Sequence, residues 1–341
     1  MAKNTSTKNT TEWNYAASPE STSHIRLEKK YQLFINNEWV SPSSKKYFPS
    51  TNPASEEVLA EIAWANDVDV DKAVKAARKA YQEVWSKLSG AERGKYIYRI
   101  ARLMQERARE LAVVETLDSG KTIRESRDID IPLACNHFFY YAGWADKLEY
   151  AFPNKTPEPL GVAGQITPWN FPLLNIAFKI GPALASGCSI IIKPSELSPV
   201  SAYLLGKIIY DINFPSGVIN ILCGNPEEVA TTLSKSTIPR LVTMIGSTNT
   251  GKKVISDSSS SIKKLSMELG GNAPFIVFDD ADFDAALDLA IGIKFGNSGQ
   301  ICVAANRFFI HEKIYHSFLK AYIERVRKLK LGFGKNKKLD M

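Results

Sequence analysis

Residues 240–253 read RLVTMIGSTNTGKK, an apolar run of strand length that ends in a glycine-bounded polar turn. Two glycines separated by four residues and followed by lysine nearly spell the phosphate loop of nucleotide triphosphatases. That loop needs Ser or Thr next, to ligate magnesium. Lys253 stands there instead and cannot bind a cation, so the turn suits a phosphate that arrives without magnesium. APFIVFDD, which ends an apolar run in Asp279, keeps a P-loop-like triphosphatase open as a remote alternative, its bland reading being a strand followed by a helix capped by Asp280 or Asp282.

Working outward from this turn, short β-rich runs alternate with helix-length segments. LGVAGQIT, CSIIIK, GVINILC and RLVTMI are separated by stretches such as SPVSAYLLGKIIYDI and PEEVATTLSK. Strict alternation implies right-handed crossovers and a parallel sheet covered on both faces. The fold class is therefore α/β: an open, parallel-sheet, Rossmann-like dinucleotide-binding domain with ligands beyond the carboxyl ends of its strands. Ahead of it, YQLFINNEWV reads as a hairpin around Asn36-Asn37. A helical section follows, in which Ile97, Ile100, Met104, Ala108 and Leu111 share one stripe. SDSSSS before Ile262 reads as a surface turn. The expected division is a flexible polar tail at 1–30, a nucleotide-binding domain with its helical section at 31–266, and a further α/β section at 267–341.

With 341 residues, 44% hydrophobic and 23% charged, the composition is that of a globular protein. Most of the +7 net charge falls in KAYIERVRKLKLGFGKNKK at 320–338, the end of an amphipathic helix with Ile314, Phe318, Tyr322, Val326 and Leu329 on its apolar side. Its basic face reads as solvated, so no nucleic-acid partner is expected. No segment is apolar enough to span a membrane. The four cysteines lack CxxC pairing and the four histidines are scattered, so neither a disulfide framework nor a metal site is expected. A reducing, cytoplasmic compartment fits, with the Ser/Thr-rich first thirty residues leaving a mitochondrial presequence as a lesser alternative.

Four further stretches carry chemistry: TPWNFPL at 167–173, KPSELSP at 193–199, MELGGNAP at 267–274 and SGQICVAANR at 298–307. Together with GSTNTG, in this order and spacing, they resemble the aldehyde dehydrogenase superfamily. The resemblance implies oxidation of an aldehyde to a carboxylic acid through a cysteine thiohemiacetal and thioester. It makes Cys302 the nucleophile, Asn170 the oxyanion-hole amide, Glu268 the base that activates water and Lys179 a proton-relay lysine. The cofactor residues it implies are Ile166, Thr167, Pro168, Trp169, Lys193, Ser195, Glu196, Gly224, Gly246, Ser247, Gly251, Leu269 and Gly270. A carboxylate at Glu196 accepts from both ribose hydroxyls and repels a 2′-phosphate, which favours NAD over NADP. GSTNTG is then the turn that faces a dinucleotide pyrophosphate.

Two departures from the family shape the remaining expectations. The segment at 145–160 is shorter than the family's hairpin for subunit pairing, and the chain stops at LGFGKNKKLDM, short of the family's remaining catalytic residues. The expected partners are a small-molecule aldehyde and either further copies of this chain or a complementing C-terminal chain, and the chain alone is expected to turn over little. A truncated, non-catalytic NAD-binding or interaction protein is the main alternative.

Overall fold

The computed structural model describes residues 20–155 and 157–341, so most of the polar tail expected at 1–30 lies outside the described residues. The chain opens with β1 (Lys30–Tyr31), β2 (Leu33–Ile35), β3 (Glu38–Val40), β4 (Tyr47–Thr51) and β5 (Val58–Ala63). The hairpin read from Asn36-Asn37 joins β2 to β3, and both asparagines take positive φ, 58° and 64°. Left-handed backbone at both turn residues matches strand twist, and asparagine tolerates it.

Six helices follow: α1 (Asp67–Glu83), α2 (Gly90–Glu106), α3 (Ala108–Ser119), α4 (Ile123–Glu125), α5 (Ile131–Trp144) and α6 (Leu148–Ala151). Asn66 with Asp69, and Ser89 with Glu92, form capping boxes that start α1 and α2. The stripe read as continuous from Ile97 to Leu111 is broken at Arg107, whose ψ of 15° ends α2 and starts α3 at a new angle. Arg107 holds this corner through ion pairs to Glu110 and Asp211.

The alternating section contains β6 (Val162–Ile166), α7 (Pro172–Ala185), β7 (Ser189–Lys193), α8 (Val200–Asp211), β8 (Ile219–Ile221), α9 (Pro226–Lys235), β9 (Leu241–Gly246), α10 (Thr248–Ser258) and β10 (Lys264–Leu269). The surface turn read from SDSSSS is shorter than expected, because α10 continues through Ser258 and packs Val254 inward. Strands β6 to β10 pair in parallel in the order β10-β9-β6-β7-β8, and the hairpin extends the sheet beyond β8. Phe34 pairs with Ile221 in antiparallel sense, so the hairpin adds a reversed edge that strand-helix alternation alone does not reveal. Along β7, Ile190 and Ile192 enter a core built with α2, α3, α5, α7 and α8, whereas Ile191 enters a second core with α1 and α9. Burial on both faces is what a parallel sheet requires.

The last elements are β11 (Ala273–Val277), α11 (Phe283–Phe295), β12 (Ala305–Ile310) and α12 (Glu312–Val326). Strands β11 and β12 pair in parallel as a two-stranded sheet, over a small core of Val277, Leu287, Ala290 and Phe318. Asp282 caps α11 through the Ala285 N–H, as one reading of FDDAD has it.

One buried carboxylate tunes the stability of this scaffold. Asp118 accepts from Ser50 Oγ at 2.5 Å and from the Val200 N–H at 2.8 Å, yet burial pushes its carboxyl up from 3.8 to about 7. A proton bound more tightly in the folded state gives stability that is complete below the unfolded value and lost as pH rises through the folded one. The thermal midpoint is therefore expected to fall between about pH 4 and 7, and Asp118→Asn to reduce that fall, as thermal unfolding at fixed ionic strength would measure. An equal fall in the variant would contradict the assignment.

Candidate active site

Strand register brings the dispersed motifs to one edge. Ile166 pairs with both Lys193 and Met244, and Leu269 with Gly246, so the carboxyl ends of β6, β7, β9 and β10 are neighbours. The chain runs outward from β6 through β7 to β8, then returns to β9 on the other side. The crevice at such a reversal is the usual ligand position of an open α/β sheet.

At the end of β9, Ser247 Oγ accepts from the Thr250 N–H at 3.2 Å and caps α10. Geometry leaves the N–H groups of Thr248 and Asn249 without intrahelical acceptors, at the positive end of the helix dipole. A Cβ at Gly251 would lie 2.7 Å from Leu269 Cδ2, so this glycine lets α10 pack closely against the end of β10. Lys253 is exposed and pairs with Asp257 at 3.4 Å. Asp279 follows β11, outside the sheet that holds Gly246, and its carboxylate accepts from Lys313 at 2.7 Å. The two parts of a triphosphatase site are thus on different sheets.

After β7, Lys193 Nζ donates to Glu196 Oε2 at 3.0 Å, so the carboxylate expected to face a ribose already holds a buried ammonium. Ser195 Oγ accepts from the Leu197 N–H, and Ser198 Oγ donates to the Trp169 carbonyl at 2.9 Å, joining this loop to the one after β6. In that loop the Thr167 N–H donates to the Lys193 carbonyl, while Thr167 Oγ1 is buried without a partner. Pro168 is partly buried and Trp169 exposed. Gly224 pairs with Ala65 in an isolated parallel bridge.

Asn170 is more engaged than its sequence setting suggests. Its Nδ2 donates to the Gln300 carbonyl at 2.8 Å, and its own carbonyl accepts from Asn297 Nδ2 at 2.9 Å. One amide hydrogen of Asn170 is thus committed to the Cys302 loop, leaving the second for a ligand. Within that loop Asn297, Ser298 and Gly299 have φ of 49°, 56° and 76°. Three consecutive left-handed residues, two of them not glycine, mark stored strain. Cys302 is exposed at the end of this turn, whereas Cys135, Cys188 and Cys223 are buried.

A cavity of about 740 Å³ gathers Lys179, Thr243, Glu268 and Cys302, with Phe178 and Leu241 on its apolar wall. Glu268 lies in edge strand β10 and is exposed. Lys179 Nζ donates to Thr243 Oγ1, and burial pushes its ammonium down from 10.5 to about 8, with Glu268 opposing the shift. Sequence reasoning brought Cys302, Glu268 and Lys179 forward but missed Thr243 and Asn297. A lone threonine inside RLVTMI and the Asn-Ser-Gly run were the available signals.

The aldehyde dehydrogenase family model matches residues 39–341. The chain is 42% identical to the mitochondrial aldehyde dehydrogenase family 2 member B4 of Arabidopsis thaliana and 39% identical to the cytosolic aldehyde dehydrogenase 1 of Mus musculus, each match covering 88% of this chain. It spans 58% and 62% of those relatives' lengths. Among solved structures, the NAD+ complex of an aldehyde dehydrogenase from Bacillus cereus superposes with a TM-score of 0.89 at 37% identity, over 93% of this chain and 68% of the other. An NADP-dependent enzyme of E. coli superposes with 0.87 at 33% identity, over 92% and 66%. The fold and motifs define an α/β protein built around a parallel, Rossmann-like sheet. The chain belongs to the aldehyde dehydrogenase family. No helix among the described residues is long and apolar enough to cross a membrane.

Proposed function

We propose that this chain binds NAD along the carboxyl edge of the large sheet and oxidises an aldehyde to a carboxylic acid at Cys302. The observation that carries the reading is the single cavity that unites Cys302, Glu268 and Lys179 beside that edge. The edge fits a dinucleotide: an orphaned Thr167 hydroxyl, an open helix N-terminus at Ser247, and close packing at Gly251 and Leu269. Ile166, Pro168, Trp169, Ser195, Gly224, Gly246 and Gly270 complete the proposed contacts. In this reading the division at 266/267 does not separate cofactor from catalytic residues, because Asn170 and Lys179 precede it, Leu269 and Gly270 follow it, and β10 carries the sheet on through Leu269.

Cys302 Sγ, as thiolate, attacks the aldehyde carbon, a C–S bond forms and the carbonyl electron pair moves to oxygen. The free Nδ2 hydrogen of Asn170 and the Cys302 N–H stabilise that oxyanion. NAD, when bound, supplies the acceptor for the hydride that leaves the same carbon. Glu268 then takes a proton from water, whose oxygen attacks the thioester carbon and releases Sγ. Lys179, with its depressed pKa, exchanges protons with this carboxylate at mildly alkaline pH. Phe178 and Leu241 favour an apolar aldehyde. Glu196 favours NAD over NADP, because its partner Lys193 already neutralises one charge and leaves none for a 2′-phosphate.

Titration with NAD, NADP and Mg-ATP tests the cofactor assignment. The expected order is NAD tighter than NADP, with no response to Mg-ATP. Binding of Mg-ATP with no response to NAD would overturn it.

A further inference from the structure

Three carboxylates, two on α3 and one on the neighbouring α4, each hold a different part of the site. Glu115 and Asp118 are three apart on α3 and so share a face. Glu115 Oε2 accepts from the Leu173 N–H at 3.2 Å, at the start of α7 just after Asn170. Asp118 Oδ2 accepts from the Val200 N–H at 2.8 Å, at the start of α8 just after the Lys193–Ser198 loop. The residues before these helices, Phe171 and Pro199, supply no side-chain cap of their own. Glu125, at the end of α4, accepts from the Asn297 N–H at 2.5 Å, where the left-handed run toward Cys302 begins.

Glu115 and Asp118 are fully buried. Lys121 Nζ lies 3.8 Å from Glu115 and 2.6 Å from Asp130, over the Phe171 ring at 4.3 Å, so its charge also bears on the Asn170 turn. Buried carboxylates are costly to keep, and capping residues normally sit at the helix start itself. Here the caps come from elsewhere, from α3 and α4, and reach three loops that the chain separates by up to 124 residues, from Leu173 to Asn297.

We propose that Glu115, Asp118 and Glu125 are positioning residues that set the Asn170 turn, the Lys193–Ser198 loop and the Cys302 loop relative to one another. The consequences for cofactor and thiol rest on the function proposed above. Because the three carboxylates hold different loops, their effects should separate, whereas a general loss of stability would move every readout together.

The test measures the iodoacetamide alkylation rate of Cys302 and the affinity for NAD in the full chain, below each variant's thermal midpoint. Glu125→Ala is expected to change the alkylation rate about fivefold and NAD affinity less than about twofold. Asp118→Ala should weaken NAD about fivefold and leave alkylation within about twofold. Glu125→Gln and Asp118→Asn, which retain an acceptor, should restore wild-type behaviour in both. Should Asp118→Ala fail to fold, Ser50→Ala removes one of that carboxylate's donors and is read in its place. Parallel shifts in both readouts, no shift in either, or failure of the conservative variants to rescue would overturn the proposal. A wild-type chain that ignores NAD would overturn the cofactor reading instead, and the Glu125 variants would then decide the positioning role alone.

Discussion

Limited treatment with iodoacetamide near pH 8 is expected to modify Cys302 at least about a hundredfold faster than the other three thiols. The thiolate is the reacting species, so both access and proton affinity count. Burial pushes the Cys135 thiol up to about 11 and the Cys223 thiol up to about 12. At pH 8 those values leave about one thiolate in a thousand and one in ten thousand, before access is considered. Cys188 is the sharper competitor, because it lines the same cavity as Cys302, yet it is only 3% exposed. Peptide mapping after partial labelling decides the order. First modification of Cys135, Cys188 or Cys223 would remove the physical basis for the nucleophile.

Gly224→Ala should be far more damaging to the fold than Gly246→Ala, though both glycines are assigned to the cofactor edge. A Cβ at Gly224 would lie 2.4 Å from the Ala65 carbonyl oxygen and 2.8 Å from its nitrogen, and backbone in a bridge has little room to move. At Gly246 the corresponding clash, 2.5 Å, is with Met244 Cε, the free end of a flexible side chain. Overpacking against fixed backbone costs about 3 kcal/mol or more, whereas a methionine that turns aside costs less than about 1 kcal/mol. Urea denaturation of the two variants tests the contrast. Equal midpoints would mean that Gly224 is not required for packing.

Local pattern made much of this fold legible. Asn36-Asn37 signals its hairpin because asparagine tolerates the left-handed backbone that the turn demands, and PEEVATTLSK coincides with α9 because Asn225 caps it just before Pro226. The parallel sheet follows from strand and helix in turn. What stayed hidden depends on partners distant in the chain. The antiparallel seat of β2 on β8 rests on Phe34 meeting Ile221, and the engagement of Asn170 rests on Gln300 and Asn297. Glu125 and Asn297 are 172 residues apart, a separation at which spacing carries no information. The α2–α3 corner was hidden differently: the apolar stripe continues in phase across Arg107, so periodicity alone does not register the change of direction.

The most direct measurement of the central claim is the fate of Cys302 when Glu268→Gln is placed in a catalytically complete form and given NAD and an aromatic aldehyde. Without the carboxylate to activate water, hydrolysis of the thioester should stall while its formation proceeds. Mass analysis after acid quench and digestion is expected to find the acyl group on the Cys302 peptide, only when NAD is present, and matched by NADH formed in the same amount. No acyl group at Cys302 after prolonged incubation, or one that forms equally without NAD, would contradict the account.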